Sequence, residues 1–99
     1  MIRHSVIFKL KYAEGSAETK AFLEAAAKLE NIPGVQQFEM LKQVSKKNKF
    51  DFGISMEFAS QELYDGYSRH PDHELFLEKY WQKGVVEFLE IDYQRLDKN

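Results

Sequence analysis

Apolar and polar residues alternate from the second residue onward, with Ile2, His4, Val6, Phe8 and Leu10 set against Arg3, Ser5, Lys9 and Lys11. A period of two puts every second side chain on one face, so this stretch predicts a strand with one buried side. Gly15-Ser16 then offers a turn and a helix N-cap, and Glu18 falls in the first turn, where it complements the helix dipole. Phe22, Leu23, Ala26, Ala27 and Leu29 recur at helical spacing, predicting an amphipathic helix from Ala17 to about Glu30. Asn31-Ile32-Pro33-Gly34 stops it.

Val35 to Val44 reads as a second strand, with Phe38 and Met40 inward, and Phe52, Ile54, Met56 and Phe58 alternate into a third. The polar run Ser45-Lys46-Lys47-Asn48-Lys49 between them reads as the solvated tip of an antiparallel hairpin. Ser60 caps a helix carrying Leu63, Tyr64 and Tyr67. Pro71 ends that helix, because the residue before a proline is pushed out of helical dihedrals, and it opens the next one. That helix carries Leu75, Phe76, Tyr80 and Trp81 to about Gly84. Glu87 to Leu96 alternates once more, and its apolar set of Leu89, Ile91 and Tyr93 is taken as inward. By that parity Glu90 points to solvent or to a dimer partner.

The order β-α-β-β-α-β predicts an α+β, ferredoxin-like fold, a split β-α-β with one four-stranded antiparallel sheet and helices on one face. Residues 1–99 read as a single domain, without repeat, linker or low-complexity segment. The sheet face away from the helices mixes Ile7 with Ser and Lys, which suits an isologous homodimer pairing sheet on sheet.

Fourteen basic residues against sixteen acidic ones, and a short Lys run without interleaved aromatics, argue against nucleic acid as a partner. The absence of cysteine removes disulfides, thiolate metal sites and Cys nucleophiles, and fits a reducing compartment. The N-terminus lacks the apolar run of a signal peptide and no later stretch is long and apolar enough to span a bilayer. The expectation is a cytoplasmic protein with no membrane partner. Eight Phe, five Tyr and one Trp furnish enough rings for an aromatic-lined cavity, although rings more often simply fill a core.

Candidate chemistry concentrates in Tyr67-Ser68-Arg69-His70-Pro71-Asp72-His73. With Pro71 opening a helix, His70 lies at its cap and His73 in its first turn, where the dipole disfavours imidazolium and favours a neutral base. Asp72 and Glu74 push the other way. His4, on the inward face of the first strand, and Tyr67, at helical spacing from Leu63 and Tyr64, each have a plain reading as core residues.

Taken together, Ile2–Lys11, Ile32-Pro33-Gly34-Val35, Met56-Glu57-Phe58, Tyr67-x-x-His70-Pro71-Asp72-His73 and Ile91-Asp92-Tyr93 resemble the stress-responsive dimeric α/β-barrel (Dabb) family over essentially the whole chain. The His-Pro-x-His element is the most specific part. The resemblance implies a ferredoxin-like monomer, two of which pair their sheets into a barrel, each keeping a pocket between sheet and helices. In a plant polyketide-cyclase branch of the family, a His is the general base for an intramolecular aldol closure without metal or cofactor. A Tyr six residues earlier helps polarise the carbonyl. By position these correspond to His73 and Tyr67, with His4 also lining the pocket. Glu90 departs from the family, which is usually apolar there.

Two main readings stay open. One is a binding or stress-associated module whose pocket holds a small apolar or aromatic ligand, lined by His4, Val6, Phe8, Phe22, Leu23, Phe76 and Trp81. The other is a cofactor-independent acid/base enzyme with His73 as base and Tyr67 as hydroxyl donor. A metal site from His4, His70 and His73 with Asp72 or Glu74 has suitable ligand types. A histidine before a proline and one inside the helix start need not converge, so neither metal nor cofactor is expected.

Overall fold

The computed structural model describes residues 1–97. Four strands, β1 (Ile2–Leu10), β2 (Gln36–Lys42), β3 (Phe52–Phe58) and β4 (Val85–Tyr93), form one sheet in the order β2-β3-β1-β4. All of its pairings are antiparallel. Three helices, α1 (Ala17–Ala27), α2 (Gln61–Arg69) and α3 (Pro71–Phe76), pack over one face, and α3 runs on through a π-helical turn (Leu77–Trp81) and a last turn (Gln82–Gly84). This is the ferredoxin-like arrangement expected from the chain.

Ser16 accepts a hydrogen bond from the Thr19 backbone N–H and caps α1; Ser60 does the same for Leu63 N–H at α2. The first helix is α-helical only to Ala27. Its last turn, Lys28–Asn31, tightens to a 3₁₀ helix. Pro33 lacks the N–H a further turn would need, and Gly34 takes a left-handed φ of 94° that reverses the chain toward β2.

The core lies between sheet and helices. Phe8, Leu10, Ile54, Met56 and Phe58 rise from the sheet to meet Phe22, Ala26, Leu29, Tyr67 and Phe76. Phe22 and Phe8 pack ring to ring at 5.5 Å, and both are essentially inaccessible to water. Phe38 and Met40 pack against the same core.

The last strand differs from its expected phase. Leu10 pairs with Val85, yet the neighbouring Lys9 pairs with Glu87, so one extra residue, Val86, bulges at the start of β4. The bulge shifts the parity by one. Beyond it Phe88, Glu90 and Asp92 stand opposite Phe8, Val6 and His4, on the helix-covered face. Leu89, Ile91 and Tyr93 therefore face away from the helices, and Leu89 remains 49% and Ile91 36% exposed. The expectation that Glu90 points away is corrected accordingly. The alternation was real, but it marks the second face of the sheet, where Ile7 and Leu41 also lie. The strand also starts and ends earlier than its pattern implied, at Val85 opposite Leu10 and Tyr93 opposite Arg3.

Truncating Phe22 to Ala empties space between sheet and helices that nothing nearby can fill. The expected cost is about 3–5 kcal/mol of unfolding free energy, measured by urea denaturation.

Candidate functional site

Two short helices rather than one long one shape the site. Pro71 cannot donate a backbone hydrogen bond, and His70 before it is extended, with ψ at 138°. The side chain of His70 turns back to cap the new helix, its Nδ1 accepting from Asp72 N–H at 3.1 Å. That leaves His4 and His73 as the histidines facing the cavity between sheet and helices. Among the described residues, no group of three or more His, Asp and Glu is arranged to hold a metal ion.

The cavity measures about 290 Å³. Val6, Ile54 and Met56 form its floor on the sheet, and Phe88 closes one side. Leu29, Phe76, Leu77 and Trp81 wall it from the helices, the last two lying at either end of the π-helical turn, which opens the helix by one residue per turn. His4, Tyr67, His73 and Glu90 gather at one polar end, and Gln82 also reaches the lining. Of the residues expected to line a pocket, His4, Val6, Phe76 and Trp81 do so, together with Tyr67 and His73. Phe8, Phe22 and Leu23 do not. Phe8 and Phe22 are spent on the core, and Leu23 packs against it.

Tyr67 is the hinge of the polar end. Its ring lies 4.6 Å from the His73 ring and 6.2 Å from that of His4, centroid to centroid. Only 2% of the residue is exposed; its hydroxyl makes no hydrogen bond among the described residues, and the residue lines the cavity. Burial, aided by the Glu90 charge, holds the phenol well above its ordinary value of 10, so it stays a proton donor.

His73 donates Nδ1–H to the Ser68 carbonyl at 3.1 Å. A carbonyl only accepts, so that bond fixes the proton on Nδ1 and leaves a lone pair on Nε2. The opposing influences on His73 resolve toward the neutral form. Burial lowers its pKa most, the Ser68 bond and the Glu90 and Glu74 charges raise it, and the His4 charge lowers it further.

A second constellation, not foreseen from the chain, stands behind His4. Its Nδ1–H donates to Asp92 Oδ1 at 2.7 Å, and the Tyr64 hydroxyl donates to Asp92 Oδ2 at 2.8 Å while lying 2.9 Å from the same Nδ1. Tyr64 is held for this by stacking on Phe58, with ring centroids 5.0 Å apart. Burial first, then the Asp92 bond, push the Tyr64 phenol upward as well. The other nitrogen of His4, Nε2, sits 3.7 Å from Glu90 Oε2. Tyr64 and Asp92 could have been found only by knowing the β4 register and that α2 crosses above it.

The sequence matches the model of the stress-responsive A/B barrel domain over residues 2–95. The chain belongs to that family. A Dabb family protein with a ferredoxin-like fold from Mesorhizobium loti is 50% identical, covering 96% of each chain with a TM-score of 0.92. A dimeric ferredoxin-like protein of unknown function from Thermobifida fusca superimposes with a TM-score of 0.80 at 18% identity, over 95% of this chain and 90% of the other. The hydroxynitrile lyase of Passiflora edulis gives 0.83 at 13% identity, over 99% and 95%. These last two share the fold alone. No curated protein sequence matches this Dabb domain. Among the described residues, no helix is long and apolar enough to cross a membrane.

His73 should titrate below its ordinary 6.5 in imidazole NMR spectra. Because the folded state resists protonation, His73 contributes stability above pH 6.5 that is lost as pH falls through the lowered midpoint. A midpoint above 6.5 would mean that Glu90 and Glu74 outweigh burial.

Proposed function

We propose that this Dabb domain binds a small, mostly apolar or aromatic molecule in the cavity between sheet and helices, with a carbonyl of that molecule held at the polar end. One observation carries the reading. Tyr67 brings a phenolic hydroxyl to the polar end of a mostly apolar cavity, where no hydrogen bond among the described residues engages it, so its proton is available to an acceptor on a ligand.

A second reading is favoured by His73. A neutral imidazole with its Nε2 lone pair unengaged is equipped to take a proton from carbon next to such a carbonyl, while Tyr67 donates to the enolate oxygen that forms. Intramolecular aldol closure of the polyketide-cyclase kind belongs to this class and calls for no cofactor or metal. The hydroxynitrile lyase of similar fold is an analogy of architecture only.

Incubation with 4-phenylbutan-2-one in D₂O separates the readings. Catalysis appears by NMR as deuterium entering the carbon positions beside the carbonyl; His73→Ala should slow it about 100-fold or more, and Tyr67→Phe about 100-fold. Shifts in the protein spectrum without exchange leave a binding module. Absence of both defeats the pocket reading.

We also assign the exposed apolar set Leu89, Ile91 and Tyr93 to a homodimer interface, sheet on sheet, supported by the dimeric state of the T. fusca neighbour. Light scattering should return twice the 11.7 kDa chain mass. Leu89→Glu should halve it, and a wild-type monomer at micromolar concentration would refute the assignment.

A further inference from the structure

Glu90 brings a carboxylate to a mostly apolar cavity, and what surrounds it is informative. The other polar groups lining that cavity are His4, Tyr67, His73 and Gln82; no Lys or Arg is among them. Glu90 Oε2 and His4 Nε2 face each other at 3.7 Å, too far for a hydrogen bond between them. His4 is held through Nδ1 by Asp92, whereas Glu90 makes no hydrogen bond to a side chain lining the cavity and can receive a donor from a ligand. The hydroxyl of Tyr67, which makes no hydrogen bond among the described residues, belongs to the same end.

We propose that Glu90 is a specificity-determining residue, selecting ligands that carry an ammonium or hydroxyl donor beside an aromatic body and turning away carboxylates. This deepens the ligand-binding reading above and rests on it. An ammonium placed against Glu90 gives the carboxylate both a donor and a counter-charge. A ligand carboxylate in the same position meets a like charge, screened in part because the Glu90 side chain is 53% exposed, and finds no Lys or Arg in the lining to offset it. A ligand bearing both groups would set its carbonyl on Tyr67 and its donor on Glu90. His73 would then be left free at the opposite flank of the phenol.

Three probes of nearly one size test the charge preference: 2-phenylethylamine, 2-phenylethanol and phenylacetate, titrated calorimetrically near neutral pH. The amine should bind about tenfold or more tighter than phenylacetate, the scale of one partly desolvated charge pair, with the alcohol between. In Glu90→Gln, which keeps the side chain's shape, the amine-to-acid ratio should fall close to one. Phenylacetate binding as well as the amine, or an amine preference that survives Glu90→Gln, overturns the role given to Glu90 while the pocket stands. Failure of all three probes to bind removes the pocket reading and this inference with it.

Discussion

The break between His70 and Pro71 is the constraint on which the site depends. In an unbroken helix, residues six apart stand roughly 240° around the axis and about 9 Å along it from each other, on different faces. Tyr67 and His73 could not then lie ring against ring. The proline removes a backbone donor and forces the preceding residue into an extended conformation. The last turn of α2 and the first turn of α3 are thereby folded toward one another, with His70 capping the junction. The same junction supplies the Ser68 carbonyl that fixes the tautomer of His73.

The opposite wall of the polar end is secured differently. Asp92, on β4, binds both His4 of β1 and Tyr64 of α2, so one carboxylate ties two strands and a helix together. The Asp92 side chain is 40% exposed, yet both of its oxygens are engaged, and its bond to Nδ1 turns the other nitrogen of His4, Nε2, toward Glu90. The cavity thus has one wall set by a backbone break and another set by a hydrogen-bond network, with Tyr67 between them.

Most of the fold was legible in the chain because periodicity of two and of 3.6 reports directly which face is buried. The hairpin, both Ser caps, the helix break and the inward face of β1 all follow from local patterns. Glu90 shows where that legibility ends. Apolar alternation says that a face is covered but not by what, and in β4 the set Leu89, Ile91, Tyr93 is the one turned from the helices. The bulge at Val86 has no local signature in a run such as Val85-Val86-Glu87-Phe88, since any of these residues fits either phase. Phe8 and Phe22 illustrate the companion difficulty. Aromatic residues at inward positions fill a core or line a cavity alike, and only packing distinguishes the two.

By itself, then, the sequence determined element order, the family, the kink before Pro71 and the pairing of a phenol with an imidazole across it, since each is written in neighbouring residues. Tertiary structure alone decided that Glu90 enters the cavity, that Asp92 and Tyr64 stand behind His4, and that burial outweighs nearby carboxylates in keeping His73 neutral. Those outcomes depend on strand register and on desolvation. Both arise between segments far apart in the chain, so no local pattern encodes them.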